Sequence, residues 1–187
     1  MRDTKNEIFH FWFEETSPAQ WFQHDDAFSA RIHERFRVTY DIAQEGLSNH
    51  WATEPMGALS LCLVLDQFPR HLFHGTARAY EAEERASFVA KQALAKGFDQ
   101  MLPHEQRFFI YMPLEHSENA ADQKRALALF KDMADLNPLA YHVAQQKFDI
   151  FSRFGRFPQR NQALSRANTP EEEQYLHENQ HDIRMTY

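Results

Sequence analysis

Apolar residues along this chain recur in steps of three and four, the spacing of a helical face. From about Asp25 to Gln44 the residues Phe28, Ile32, Phe36, Tyr40 and Ala43 share one side. Arg31, Glu34, Arg35 and Arg37 occupy the others, and Gly46 is a natural stop. Ahead of this helix, Thr4 and Glu7 have capping-box spacing before Ile8, Phe9, Phe11 and Trp12, which predicts a short, very apolar first helix. Ser17-Pro18 breaks it, and Trp21-Phe22 reads as an aromatic plug. Thr53 and Pro55 open a third helix with the stripe Ala58, Leu61, Cys62, Leu65 and Phe68, ended by Pro69. A fourth opens at Gly75-Thr76, runs through Tyr80, Val89, Ala90, Ala93 and Leu94, and closes at Gly97. The fifth starts at Pro103, carries Phe108, Phe109, Tyr111 and Met112, and ends at Pro113. Ser117 or Asn119 caps a sixth with Leu127, Phe130, Met133 and Ala134. Asn137-Pro138 opens a seventh with Tyr141, Ala144, Phe148 and Phe151. Thr169-Pro170-Glu171-Glu172 is a second capping box, so a last helix begins there with Leu176 as its apolar anchor.

No run alternates with the period of a strand, and the connections are short. The fold class is therefore all-α: residues 1–187 form a single domain of antiparallel helix pairs, the last ~10 residues being a polar tail. Phe28, Phe36, Leu61, Leu65, Phe108, Phe130, Phe148 and Phe151 are expected in the core.

Composition agrees. Of 187 residues 43% are hydrophobic and 14% aromatic, enough for a well-buried interior, and only 5 glycines leave little for a turn-rich β protein. The net charge of -7 argues against a nucleic-acid backbone as main partner. A single cysteine, Cys62, excludes an intramolecular disulfide and fits a reducing compartment. No apolar run approaches the ~20 residues that span a bilayer, and the N-terminus has no signal-peptide character. The expectation is a cytoplasmic protein without nucleic-acid or membrane partners.

Candidate chemistry gathers in loops. Phe154-Gly155-Arg156-Phe157-Pro158-Gln159-Arg160-Asn161 suits neither helix nor strand; Gly155 favours a left-handed helix end and Pro158 blocks an immediate restart. A similar phrase stands at Asp66-Gln67-Phe68-Pro69-Arg70. Their likeness predicts that the two meet, with a carboxylate between Arg70 and Arg156 or Arg160, since like charges need a counter-ion in low dielectric. Arg70, Arg156, Arg160 and Arg166, with Asn161 and Asp66, could converge as a receptor for phosphate or carboxylate. The arginines could equally pair with Asp66, Glu115 and Glu118 and lock helix ends together. Arg156, directly after the helix-closing glycine, leans to the structural role, and Arg160, past the proline, to the ligand. Glu115-His116-Ser117-Glu118 supplies the acid–base candidates His116 and Glu115; the alternative is a helix cap with a passive histidine. His71 with His74 and His177 with His181 have helical spacing but no third ligand, and Glu7 with His10 and Glu178 with His181 are explained otherwise, so no metal or cofactor is assigned. Cys62 reads as a core thiol. No glycine-rich phosphate loop or serine elbow occurs.

Three phrases resemble a known family. Leu65-Asp66-Gln67-Phe68-Pro69-Arg70, Tyr111-Met112-Pro113-Leu114-Glu115-His116-Ser117-Glu118 and Arg153-Phe154-Gly155-Arg156-Phe157-Pro158 with Arg160-Asn161 are similar to the bacterial domain-of-unknown-function family 924. Phe11-Trp12-Phe13 with Trp21-Phe22, and Leu164, Arg166, Thr169 and Glu172, extend the resemblance over nearly the whole chain. It implies a tetratricopeptide-like right-handed array of helix pairs and no activity. Lys147 and Gln159 stand where the family usually has histidines, and Ser165 where it usually has glycine. Two functional readings follow. One is a binding protein or cryptic enzyme for a small anionic ligand held by Arg70, Arg156 and Arg160, with His116 as proton shuttle. The other is a protein-interaction scaffold.

Overall fold

The computed structural model describes residues 4–22 and 25–179, all helix, turn and loop with no strand among them. His181 and most of the expected polar tail lie outside the described residues. Helix α1 (Thr4–Glu14) buries Ile8, Phe11 and Trp12. A single turn, α2 (Pro18–Trp21), brings Trp21 flat against Trp12, ring centroids 6.0 Å apart. Helix α3 (Asp26–Gln44) starts where the Asp25 carboxylate accepts the Phe28 N–H, and it buries the five residues of its apolar stripe.

The centre of the molecule is the run 55–72. It comprises α4 (Pro55–Cys62), a π-helical turn Leu63–Gln67 and α5 (Phe68–Leu72). Helix α1 and the later helices α6 (Glu83–Ala95) and α7 (His104–His116) pack on α4, and α3 packs on α5. Pro69 was expected to end this run and does not. Proline clashes with the carbonyl four residues back in a regular α-helix. Here the preceding turn is widened, with the Phe68 N–H bonded to Leu63 O, and the chain carries the ring onward. Gly57 is required by contact: an added Cβ would lie 2.0 Å from the Trp51 carbonyl oxygen in the short 3-10 helix Asn49–Thr53.

Pro113 also fails to end its helix. It removes one N–H, yet the last turn of α7 is held from outside. Gln123 Nε2 donates to the Glu115 and Ser117 carbonyls at 2.6 and 2.8 Å, and Arg160 Nη2 to the His116 carbonyl at 2.9 Å. The fourth expected helix starts later than Gly75-Thr76. Gly75 adopts φ +72° and ends α5's turn, and a 3-10 turn, Ala77–Ala79, precedes α6.

Asn119, of the two candidates, caps α8 (Ala120–Asp132), accepting from the Ala121 and Asp122 N–H groups. Helix α9 (Pro138–Phe154) ends at Gly155 with φ +69°. Helices α7, α8 and α9 pack as consecutive pairs. The inner face of α9 is Ala140, Ala144 and Lys147, so Phe148 and Phe151, like Phe108, are only half-buried; the other five residues expected in the core are buried. Thr169 and Glu172 close the expected capping box on α10 (Pro170–Glu178).

Candidate functional site

The π turn sets Asp66 and Gln67 side by side at the base of a cavity. Asp66 is buried, and the α7 end presents His116 to it: Nδ1 lies 2.8 Å from Asp66 Oδ1 and 2.9 Å from Oδ2. Gln67 Nε2 donates to Asp66 Oδ2 at 2.6 Å. One helical turn on, Arg70 Nη2 reaches Asp66 Oδ1 at 3.3 Å and Glu83 Oε1 at 2.5 Å. Glu83 uses its second oxygen on Arg160 Nη1 at 2.9 Å. The two Phe-Pro phrases therefore meet across a carboxylate, but the bridging group is Glu83, which sequence reasoning had not singled out. Tyr80 adds its ring to both guanidiniums, 5.6 Å from Arg70 and 4.9 Å from Arg160.

Charges follow from this packing. Burial alone raises the Asp66 carboxyl, but the facing His116, the Arg70 charge and two hydrogen bonds outweigh it and hold Asp66 well below the usual carboxylate range. Burial, helped by the Arg70 charge, pushes His116 well below its ordinary 6.5 despite Asp66. That direction favours the neutral ring, which donates Nδ1–H to Asp66 and keeps the Nε2 lone pair.

Next to His116, Glu115 faces Lys147 of α9, Oε1 to Nζ 3.3 Å, with both side chains buried. The contact is a buried ion pair. Burial pushes Glu115 up against the pull of Lys147, and pushes Lys147 down against the pull of Glu115.

Part of this cluster lines a cavity of about 510 Å³. Gln67, Arg70, Glu115, His116 and Lys147 form its polar floor; Phe22, Phe108, Met112, Leu139 and Val143 form apolar walls. Three buried polar atoms on that floor have no hydrogen-bond partner among the described residues: Arg70 Nε, Glu115 Oε1 and His116 Nε2.

The other predicted residues lie away from the cavity lining. Arg156 pairs with Glu172, not with Asp66, Glu115 or Glu118: Nε to Oε1 is 2.6 Å and Nη2 to Oε2 2.7 Å. Arg166 clamps Glu118 at 2.5 and 2.9 Å and donates to Asn161 Oδ1 at 2.9 Å. Asn161 Nδ2 bonds Asn168, and Glu118 also accepts the Phe157 N–H. This network ties the loop after α9 to the α7–α8 connection and to α10. Arg160 is buried between Glu83 and the His116 carbonyl, and it supports the floor from behind.

The family model described as a bacterial protein of unknown function, DUF924, matches residues 8–180. The chain belongs to that family. It is similar to a solved structure of a protein of unknown function from Agrobacterium tumefaciens, with 40% sequence identity and a TM-score of 0.88 over 94% of this chain and 97% of that one. No curated protein matches it.

In this DUF924 chain Lys147, noted above as a departure from the family's usual histidine, sits on the cavity floor. Ser165, where the resemblance led us to expect glycine, holds φ +53°, the left-handed conformation glycine adopts without strain. His71 is buried edge-on to the Phe28 ring, centroids 4.9 Å apart. Among the described residues no group of three or more His, Cys, Asp or Glu is placed to hold a metal. Burial pushes the Cys62 thiol well up, so it is no thiolate nucleophile. Among the described residues no helix is long and apolar enough to cross a membrane.

Proposed function

We propose that this protein binds a small organic molecule with an apolar body and an anionic head in the cavity above the Asp66–His116 pair, with His116 as its proton-transfer group. One observation carries the reading: Arg70 Nε and His116 Nε2 are buried polar atoms without hydrogen-bond partners among the described residues, on residues lining the same cavity. A buried polar group left unsatisfied costs about 1–3 kcal/mol, a cost that a ligand head can relieve. The apolar walls suit a hydrocarbon body. A neutral imidazole that donates Nδ1–H to a carboxylate offers Nε2 as a base. Of the four arginines only Arg70 belongs to this ligand site. Arg156, Arg160 and Arg166 hold helix ends and loop.

The charge balance favours a carboxylate head that brings a proton. Asp66, Glu83 and Glu115 face Arg70, Arg160 and Lys147 on or behind the floor. When Glu115 takes a proton, which its burial already favours, one positive charge is left for the newcomer.

A thermal-melt screen tests this. Hexanoate and phenylacetate should raise the melting temperature, by an amount equivalent to about 2.7 kcal/mol at ~100 times the dissociation constant, while sulfate and inorganic phosphate should not. Val143→Trp, which fills the wall, should abolish the shift. Equal shifts in wild type and Val143→Trp, or none with any amphipathic carboxylate, would contradict the proposal.

A scaffold role draws its support from α3, where Val38 and Ile42 lie exposed one turn apart and Leu47 follows.

A further inference from the structure

We infer that Lys147 is an imine-forming amine, and that the cavity takes a small aldehyde or ketone whose carbonyl carbon bonds to Lys147 Nζ while Glu115 relays the protons. The inference rests on the cavity being a ligand site and gives its anionic ligand a carbonyl group, as in phenylpyruvate; hexanal and benzaldehyde present that carbonyl alone.

Its basis is the setting of Lys147. A lysine is rarely buried, and when it is, a well-bonded partner is the usual reason. Lys147 is only 7% exposed, and its ion-pair partner, Glu115 Oε1 at 3.3 Å, is itself buried on the same cavity floor. Both residues line the cavity, between the apolar side chains of its walls and the His116 ring. Burial, with the Arg70 and Arg160 charges behind the floor, favours the uncharged amine, as burial favours the uncharged Glu115. A desolvated lysine near other cations is the setting in which an amine becomes nucleophilic at neutral pH.

The chemistry closes on these two side chains. A proton passing from Lys147 to Glu115 gives a free amine and a carboxylic acid without changing the net charge. The amine lone pair attacks the carbonyl carbon, and the C=O π pair moves to oxygen, which takes the Glu115 proton. The carbinolamine nitrogen returns a proton to Glu115. Glu115 then protonates the hydroxyl, the C–O bond breaks, water leaves, and the nitrogen lone pair forms C=N. The products are a protonated imine on Lys147, one water and ionised Glu115, so the ion pair is restored. No oxidant, reductant or metal is needed.

The test uses the full chain, with hexanal, benzaldehyde and phenylpyruvate as probes, each followed by borohydride reduction and peptide mapping. We expect one reduced adduct per chain, located on Lys147, appearing before any adduct on the other five lysines. Glu115→Gln should slow adduct formation while leaving its site unchanged. Lys147→Arg, which keeps the charge facing Glu115, should abolish it. The wild-type map decides even where a variant does not fold. No adduct at Lys147, or adducts spread over the other lysines first, overturns the inference. Hexanoate forms no imine, so its melt shift separates the two proposals: a shift without an adduct removes the imine and leaves the cavity, and neither removes both.

Discussion

Glu172 shows how one carboxylate can carry a local structure. It accepts two bonds from Arg156 and one from its own capping residue Thr169, and it is buried while doing so. The Arg156 hydrogen bond is the largest influence; against the cost of burial it and the Thr169 N–H bring the carboxyl down to about 2 from an ordinary 4.5. A depressed acid stabilises the fold above its unfolded value and ceases to as pH falls through the folded one. Glu172→Gln should therefore lower the melting temperature at neutral pH, and the gap to wild type should close between about 4.5 and about 2. A gap that persists unchanged through that window would contradict the assignment. The capping box was legible in the sequence because Thr169 and Glu172 are three residues apart. The Arg156 partner was not, because opposite charge at Asp66, Glu115, Glu118 or Glu172 reads alike until the chain is folded. Glu83 was missed for the same reason: it lies 13 residues from Arg70 and 77 from Arg160.

The helical periodicity located every main element; prolines caused two of its boundary errors, and the 3-10 turn after Gly75 a third. A proline in sequence removes one N–H and crowds one carbonyl; whether the helix stops depends on what else can serve that turn. A π turn widens the helix before Pro69, and Gln123 and Arg160 hold the end beyond Pro113. The first is a local widening that apolar spacing does not reveal, and the second comes from residues outside the helix. Gly57 makes the complementary point at the start of the same central run. The sequence pattern around it gave no hint that α4 rests directly on the Trp51 carbonyl. Gly57→Ala should force the two elements apart and cost about 1–3 kcal/mol, read as a lower denaturation midpoint at unchanged slope. Wild-type stability would show that the two backbones do not meet there.

At the scale of the whole molecule, the all-α class was written in the spacing of apolar residues, and the phrases carrying Asp66, Arg70, Glu115 and His116 stood out as sequence. The cavity did not. Its walls come from Phe22, from Phe108 and Met112 on α7, and from Leu139 and Val143 on α9. Its floor needs Lys147, which a sequence reader sees only as one polar residue on an otherwise apolar helical face. The account depends most on His116 being a neutral base held by Asp66 at that floor. The direct measurement is nitrogen-labelled histidine NMR of the full chain between about pH 5 and about pH 8, with and without hexanoate. Assigned through loss of its signals in His116→Gln, the His116 ring should stay neutral with the proton on Nδ1 and show no titration near its ordinary 6.5, and hexanoate should shift Nε2. A His116 that titrates near 6.5, or whose Nε2 is unmoved by a ligand that raises the melting temperature, would contradict the account.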